Sequence, residues 1–283
     1  MVAHPIHALR RFRFFRALSR NWDPMLPRRL ASLAHPIYLR LLSHGSQIFK
    51  APEREMAIRE TFAAVLRALP AEPQPVLWDI GANIGWFSWH GATLRPDSAI
   101  VSFEPDAKNL RCLRRTARRW QLAHHTIVPC AVAECSGRAP FFVDDIAGAT
   151  GTLEKSQSFN LHHYRHRAPE IEVETISLDD FLARGHAPPA VVKIDAEGAE
   201  LRILHGAAGA LQAHRPILFY ESFTHRAEIL ALLKDYGYLV FDSDCHRAIV
   251  PETTNFVALP PACPPAVISS LTALGYPTSQ PRG

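Results

Sequence analysis

The sequence has 283 residues, of which 47% are hydrophobic and 20% charged, and its formal net charge is +4. The composition excludes a disordered chain, no apolar run approaches the length of a membrane span, and the chain is long enough for one large domain with or without an appendage. The charge is uneven: residues 1–50 hold nine Arg or Lys against one Asp, which argues against a uniformly basic nucleic-acid binder.

The cysteines and the N-terminus bear on the compartment. Five cysteines form no C-x-x-C pair, and their odd number argues against a disulfide framework. The N-terminus also lacks the continuous apolar stretch of a secretory signal. We therefore predict a cytoplasmic protein.

The first predicted element is a basic amphipathic helix over residues 6–22, in which apolar residues recur at helical spacing with arginines between them. Its apolar face could pack on the neighbouring domain, or the helix could dock on a membrane surface or a protein partner. The stretch from Asp23 to Lys50 is predicted to be irregular or briefly helical. A helix from about Glu53 to Leu69 follows, so residues 1–70 form a basic helical extension.

The body of the chain alternates short apolar runs with helical patterns. Continuous apolar strands, each followed by a helix, are typical of a parallel sheet covered on both faces, so we predict an open, doubly wound α/β domain over residues 71–262. The tail is 263–283. The predicted strands are 76–80, 99–104, 126–132, 190–195 and 217–221, and the predicted helices are 84–94, 107–121, 199–213 and 225–236.

One segment breaks this rhythm. Residues 139–175 contain "PFFVDD", "AGATGT", a histidine cluster "LHHYRH" and an alternating "EIEVETIS". An insertion at this point would lie at the edge where the strands end, so we interpret it as a lid or a substrate-selecting loop.

The stretch "WDIGANIGWF" predicts a cofactor loop, because a strand ends at Asp79-Ile80 and a helix opens after the glycine turn. A dinucleotide fingerprint starting at Gly81 would need glycines where Asn83 and Trp86 stand, and the sequence has no G-K-[ST] phosphate loop. A nucleoside without phosphates is therefore expected. Glu104 follows the next strand at the distance where such folds place a carboxylate on ribose hydroxyls, which suggests S-adenosylmethionine.

Several ordered motifs carry a family resemblance. They are "WDIGANIGWFS", "VSFEPDAKNLRCL", "VPCAV", "ISLDDFL", "VVKIDAEGAELRILHGA", "PILFYE", "LLKDYGY" and "NFVALP". In this order they resemble the FkbM family of S-adenosylmethionine-dependent methyltransferases over about residues 76 to 260. The resemblance implies a class I methyltransferase fold, a Rossmann-like, mostly parallel seven-stranded sheet with the last strand antiparallel. It also implies methyl transfer to a hydroxyl of a sugar, glycolipid or polyketide.

The resemblance also assigns residues by position. Matching positions for cofactor binding are Asp79, Gly81, Ala82, Asn83, Gly85, Glu104 and Pro105. Lys193, Asp195, Glu197, Gly198 and Glu200 match the second signature, beside the transferring methyl group.

Catalytic roles at the second signature follow from the chemistry of methyl transfer. A neutral hydroxyl is a poor nucleophile, so a carboxylate within hydrogen-bond reach can take its proton as the new bond forms. We expect Asp195 or Glu197 to be the base or to orient the acceptor, Glu200 to be structural, and Lys193 to pair with a carboxylate. Glu221, which ends the next strand, is a further catalytic candidate.

Three alternatives stay open at this point. Asp195, Glu197 and Glu221 could hold a divalent cation that acidifies the acceptor hydroxyl, although carboxylates at strand ends often just pair with basic groups. The sheet could instead belong to a nucleotide-dependent oxidoreductase. It could also serve a non-catalytic binding module that docks through the basic extension.

The expected partner is a small-molecule or glycan hydroxyl, with no nucleic acid. Among the histidines, His225 is the best placed to face a substrate.

Overall fold

The computed structural model describes residues 14, 17, 18, 21–45, 56–164 and 167–278, so most of the predicted N-terminal helix lies outside the described residues. The strands of the described part are β1 (Met25–Arg28), β2 (Ile37–Arg40), β3 (Val76–Ile80), β4 (Ala99–Phe103), β5 (His125–Val128), β6 (Ala131–Val132), β7 (Gly137–Phe142), β8 (Glu170–Ile176), β9 (Val191–Ile194), β10 (Ile217–Glu221), β11 (Leu239–Asp242) and β12 (Asn255–Leu259). Its α-helices are α1 (Met56–Ala68), α2 (Trp86–Leu94), α3 (Ala107–Trp120), α4 (Phe159–Tyr164), α5 (Leu178–Ala183), α6 (Glu200–His205), α7 (Ala208–Ala213), α8 (Arg226–Asp235) and α9 (Pro265–Ala273).

The central sheet has seven strands in the order β11-β12-β10-β9-β3-β4-β5. Strand β12 runs antiparallel to β10 and β11, while β10, β9, β3, β4 and β5 pair in parallel. The predicted doubly wound sheet with an antiparallel last strand is confirmed. The strand order reverses beside β3, so the loop after β3 opens at the switch point where such folds bind ligands.

Two apolar clusters cover the faces of this sheet. On one face Trp78 packs edge-on against Phe103 and Phe181. On the other, Phe62 of α1 packs edge-on against Phe87 and Phe219. The sheet strands are buried almost throughout, which is why their sequences are continuously apolar instead of alternating. The described part contains no helix that is both long and apolar enough to cross a bilayer.

The predicted strand over 126–132 is wrong as one element. It divides into β5, which is an edge strand of the central sheet, and β6, which pairs with β8 in a separate three-stranded sheet. Pro129 stands between them. Because proline has no N–H to donate, the ladder ends there and the chain can leave the central sheet.

The predicted helix over 199–213 is likewise two helices, α6 and α7. Asp179 of α5 accepts hydrogen bonds from the N–H groups of Gly209 and Ala210 at 2.8 Å each. This carboxylate caps the start of α7 from outside, which satisfies N–H groups that a continuous helix would have bonded internally.

The stretch from Asp23 to Lys50, predicted to be irregular or briefly helical, also contains two strands in its described part. Strands β1 and β2 form an antiparallel hairpin, with Ile37 and Leu39 buried against the core. Pro27 is tolerated because β1 is an edge strand, and Asp23 accepts hydrogen bonds from Leu42 N and Ser43 N at 2.7 and 3.1 Å. We call residues 21–45 the hairpin segment.

Described residues on both sides of the central domain pack against it. Helix α9 lies in the segment predicted as a tail and packs against α1, and the hydroxyl groups of Tyr276 and Thr61 are 2.7 Å apart. The insertion contains β7, a 3₁₀ turn over Lys155–Gln157, α4 and β8, and β8 is the alternating strand that its sequence predicts.

Candidate active site

A pocket opens at the carboxyl ends of β3, β4 and β9, and we call it the strand-end pocket. Its polar lining includes Asn83, Glu104 and Asp195, and its apolar lining comes from both the sheet and the insertion. The lining residues are Ile80, Gly81, Asn83, Phe103, Glu104, Pro105, Asp106, Asn109, Cys130, Ala131, Val132, Phe141, Asp144, Gly148, Ala149, Gly151, Leu153, Asp195, Ala196 and Ala199.

The glycine turn after β3 forms the floor of the pocket. Gly81 has φ +70°, and a Cβ placed on it would lie 1.9 Å from the backbone oxygen of Asp195. A glycine is thus required by the approach of the Asp195 backbone and by the positive φ. Asn83 also has a left-handed backbone, with φ 54°. Its Oδ1 atom is buried without a hydrogen-bond partner among the described residues.

Glu104 closes one end of the pocket. The carboxylate is 4% exposed, and its two oxygens accept hydrogen bonds from Asn83 N at 2.7 Å and Asp106 N at 2.8 Å. Burial, together with the nearby charge of Asp106, raises the pKa of Glu104 to about 8. Each carboxylate oxygen keeps a further lone pair, so Glu104 can still accept a hydrogen bond from a ligand hydroxyl.

Three predicted cofactor residues are not part of the pocket lining. Asp79 is buried beneath the loop and accepts hydrogen bonds from Ser88 N at 3.0 Å and Ser88 Oγ at 2.5 Å. Burial raises the pKa of Asp79. Ala82 donates its N–H to Phe103 O at 2.9 Å, and Gly85 is the first residue before α2. All three contribute to the structure of the loop and do not line the pocket.

Lys193 and Asp195 of the second signature lie at the opposite end of the pocket from Glu104. Lys193 is 1% exposed, and its Nζ atom lies 3.3 Å from Asp195 Oδ2. Although burial alone would lower the pKa of Lys193, the charges of Asp195, Glu221 and Asp79 together raise it. The predicted pairing of Lys193 with a carboxylate is confirmed.

The remaining acids surround this ion pair. Glu197 has φ 52°, and burial, with the charges of Asp195 and Glu221, raises the pKa of Glu197 well above its usual value. Among the described residues neither Glu197 nor Glu221 lines the strand-end pocket, whereas Asp195 does. Glu200 accepts hydrogen bonds from Ala196 N and Gly198 N at 3.1 Å, which fits the structural role expected of it.

Three of the six described non-glycine residues with left-handed φ angles follow strands at this edge of the sheet. Asn83, Glu197 and His225 are non-glycine residues with left-handed φ angles of 54°, 52° and 54°, and they follow β3, β9 and β10. Such residues persist only where the surrounding structure holds them, and they cluster at functional sites. Gln121, Arg215 and His246 have similar φ angles at other places in the fold, so left-handed backbone is not confined to this edge.

The insertion lies directly on the second signature. Thr152 Oγ1 donates to the backbone oxygen of Glu197 at 2.8 Å, and the Gln157 side chain lies against Gly198. Glu154 forms an ion pair with Arg202 of α6 at 2.8 Å. The insertion thus covers the loop that carries the catalytic candidates.

Asp144 organises the part of the insertion that lines the pocket, and the sequence analysis did not single it out. Its buried carboxylate accepts hydrogen bonds from four backbone N–H groups between Ile146 and Thr150 and from Thr150 Oγ1. The run of Asp followed by small residues in "DDIAGATG" is typical of such a turn and could have indicated it.

A second unexpected residue, Arg40, comes from the hairpin segment. Arg40 is 4% exposed, and its Nη2 atom donates to Asn109 Oδ1 at 3.2 Å. Asn109 Nδ2 in turn donates to Gly148 O at 3.0 Å, and a Cβ on Gly148 would lie 2.2 Å from Arg40 Nη2. Arg40 therefore joins two parts of the pocket wall, α3 and the insertion. No signal in the sequence indicated this contact, because it joins residues 69 positions apart.

The described histidines and carboxylates were the candidates for a metal site. Within the described ranges no group of three or more His, Cys, Asp or Glu side chains is arranged to hold a metal ion, so the divalent-cation alternative finds no support. His225 is exposed, and its Nδ1 lies 3.5 Å from Glu228 Oε1. His162 bonds to the backbone oxygen of Ser156, and His166 lies outside the described residues.

Comparison with known proteins gives consistent matches. The family described as "Methyltransferase FkbM domain" matches residues 79–240. The chain is 33% identical to hexuronic acid methyltransferase AglP of Haloferax volcanii over 146 residues, which is 50% of this chain and 54% of that protein. It is 28% identical to 31-O-demethyl-FK506 methyltransferase FkbM of Streptomyces tacrolimicus over 221 residues, 67% of this chain and 84% of that one.

One solved structure extends the comparison. The crystal structure of methyltransferase FkbM from Methylobacillus flagellatus aligns with 76% of this chain and 56% of its own, at 17% identity and a TM-score of 0.46. The chain thus spans little more than half of the archaeal enzyme and of this crystal structure.

Proposed function

Since this chain belongs to the FkbM methyltransferase family, we propose that it is an S-adenosylmethionine-dependent O-methyltransferase. The acceptor is a hydroxyl group of a carbohydrate, a glycolipid or a secondary metabolite, and the enzyme acts in the cytoplasm. The observation that carries this proposal is the placement of Glu104 and Asp195 at the two ends of one pocket, across the glycine turn of β3.

The dimensions of the pocket suit a nucleoside with an amino-acid tail. Strands β4 and β9 flank β3 on either side, so their ends lie about 10 Å apart. Glu104 would accept hydrogen bonds from ribose hydroxyls, and apolar residues such as Phe103 and Val132 would contact the base. The unpartnered Asn83 Oδ1 offers an acceptor for the ammonium group of the tail. Methyltransferase membership makes the oxidoreductase alternative unnecessary.

S-adenosylmethionine supplies an electrophilic methyl group on a sulfonium. Asp195 is assigned as the group that orients the acceptor hydroxyl and takes its proton, because it faces the pocket and its carboxylate is 36% exposed. Asp195 would take the proton of the acceptor hydroxyl as that oxygen receives the methyl group from sulfur. The ion pair with Lys193 holds Asp195 in position. Glu197 and Glu221 are further acids whose charges interact near Asp195.

The acceptor class rests on the relatives and on the insertion. One relative is named for a hexuronic acid, which is a carbohydrate acid. Another is named for 31-O-demethyl-FK506, which is a secondary metabolite. The insertion covers the second signature, so it would form the wall that selects the acceptor.

Cofactor binding is the first test of the proposal. We expect S-adenosylmethionine and S-adenosylhomocysteine to bind with micromolar affinity in calorimetric titrations, with NAD giving no heat of binding. A hydroxyl screen with radiolabelled S-adenosylmethionine, covering uronic acids, neutral glycans and polyketides, would then identify the acceptor. Tight binding of NAD without binding of either sulfur compound would refute the proposal.

The Arg40 contact makes a prediction of its own. Arg40→Ala should weaken S-adenosylhomocysteine binding about 5- to 20-fold, because loss of a charged hydrogen bond releases Asn109 and Gly148 from their positions in the pocket wall. Thr116→Val is the matched control: it removes the 2.9 Å bond from Tyr38 N that ties the same hairpin segment to α3, but Thr116 is two turns from Asn109. Equal calorimetric losses in both variants would contradict a specific role for Arg40.

A further inference from the structure

Helix α3 presents a face made of arginines. Its buried side carries Leu110, Leu113 and Trp120, and its opposite side is exposed along the whole helix. The exposed arginines are Arg111, Arg114, Arg115, Arg118 and Arg119. Their spacing of three and four residues places them on one face.

In the described part of the chain none of the five arginines forms an ion pair with a carboxylate, and α3 itself contains no Asp or Glu. Like charges three and four residues apart on a helix repel each other, whereas an ordinary solvated helix mixes both signs. The α3 face therefore carries a charge pattern suited to an anionic partner.

The hairpin segment lies beside this face. Tyr38 N donates to Thr116 Oγ1 at 2.9 Å, Trp120 Nε1 donates to Pro36 O at 3.1 Å, and the guanidinium of Arg115 stacks 4.5 Å from the centre of the Tyr38 ring. The hairpin segment adds apolar groups, since Trp22 is 59% exposed and Leu26 of the edge strand β1 is 42% exposed.

The charges of the whole chain are divided in the same way. Residues 1–50 hold nine Lys or Arg against one acid, and α3 holds six against none. The remaining residues hold 16 Lys or Arg against 26 Asp or Glu. The basic residues of the N-terminal segment and of α3 thus contrast with an acidic remainder, and the hairpin segment, which carries Arg28, Arg29 and Arg40, contacts α3.

We propose that the α3 arginine face and the adjoining hairpin segment dock the enzyme on a bilayer surface that contains anionic lipids. The exposed Trp22 and Leu26 favour a bilayer over a nucleic acid, because a tryptophan and an aliphatic side chain beside cations suit the boundary between headgroups and acyl chains. The ring of Tyr38 is already stacked by Arg115, so that face of the ring is not free to stack a nucleic-acid base.

Vesicle co-sedimentation of the full chain tests this inference. Phosphatidylcholine vesicles with about 30 mol% phosphatidylglycerol should bind the protein at least about tenfold more tightly than pure phosphatidylcholine, since each basic residue near an anionic surface adds to the attraction. Added salt should weaken the binding, as screening predicts. The double variant Arg114→Gln/Arg118→Gln should bind about 20-fold more weakly, because two such residues are removed and glutamine keeps the helix.

Three controls separate the outcomes. Arg184→Gln/Arg215→Gln removes the same charge from exposed positions elsewhere and should bind vesicles like the wild type. S-adenosylhomocysteine binding and the thermal midpoint should be unchanged in the α3 variant, because no exposed α3 arginine lines the pocket. A full-length variant with Gln at positions 10, 11, 13 and 16 measures the separate contribution of the N-terminal arginines.

Several results would overturn the inference. These are full retention of vesicle binding in the α3 variant, an equal loss in the Arg184/Arg215 control, and binding of a short RNA that depends on α3 while vesicles are not bound at all. Loss of binding in the N-terminal variant alone would also overturn it, because α3 would then play no part.

Discussion

Asp195→Asn is expected to lower kcat for methyl transfer by about 10²–10⁴-fold, the usual contribution of a general base. The amide keeps the shape of the side chain and can still contact Lys193, but it cannot take the proton of the acceptor hydroxyl. The measurement is transfer of radiolabelled methyl to the acceptor found in the hydroxyl screen. Binding of S-adenosylhomocysteine should stay within about threefold of the wild type, since the loss concerns proton transfer only.

Glu197→Gln and Glu221→Gln are the comparison for this assignment. Both remove a carboxylate from the same cluster, yet neither residue lines the strand-end pocket, so we expect kcat losses of about tenfold or less. If Glu197→Gln abolished transfer while Asp195→Asn left kcat nearly intact, the proton would go to Glu197 instead. Its raised pKa would suit that role, because a base works best when its pKa lies near the working pH.

At about pH 8.5, where the Glu104 carboxylate is mostly ionised, Glu104→Gln should weaken the binding of S-adenosylhomocysteine by about 10- to 100-fold, because hydrogen bonds to charged groups contribute about 1.5–3 kcal/mol. The glutamine has one acceptor oxygen where the carboxylate has two, so either Asn83 N or Asp106 N would also lose its partner. Calorimetry provides the affinity. Glu170→Gln, at an exposed position of β8, is the charge-matched control and should bind normally.

The pH dependence of stability and of ligand affinity gives a second test of the role of Glu104. Its pKa in the folded protein, about 8, is above that of the unfolded chain. At pH values between the two pKa values, the folded protein keeps the Glu104 proton that the unfolded chain has lost. The stability that this proton contributes is lost as the pH rises towards 8. Ribose hydroxyls donate to the ionised carboxylate, so ligand affinity should increase about tenfold or more between about pH 6.5 and 8.5.

Glu104→Gln should abolish both effects. Its free energy of unfolding should fall less than that of the wild type over this pH range, and its weak affinity should not change with pH. An affinity that does not rise with pH in the wild type would mean that Glu104 is not the ribose acceptor in its ionised form. Thermal unfolding in buffers of matched ionic strength measures the pH dependence of stability without any ligand.

The sequence by itself determined the central sheet and the place of its site. Continuous apolar strands such as Val76–Ile80, each followed by a helix, are typical of a parallel sheet that is buried on both faces, and the glycine turn and the acids at strand ends mark its carboxyl edge. The ion pair between Lys193 and Asp195 was also predictable, because two residues on the same strand face two positions apart project side by side. Ordered motifs over most of the body supplied the family.

Local pattern failed where a distant contact replaced a local one. The helix over 199–213 divides because Asp179 caps α7 from another helix, and β6 leaves the central sheet to pair with β8. The hairpin segment was unpredictable for the same reason. Two four-residue strands have too few residues for a clear period, and they are held by burial against the core and by Asp23.

Only the tertiary structure decided which of the predicted site residues meet. Gly81, Asn83, Glu104, Pro105 and Asp195 come together in one pocket. Asp79, Ala82 and Gly85 belong to the same cofactor motif but do not line that pocket. A motif gives the order of residues along the chain, and the direction of each side chain depends on how the loop packs. Contacts such as that of Arg40 with Asn109 join residues far apart in sequence, so they arise only when the folded chain brings separate elements together.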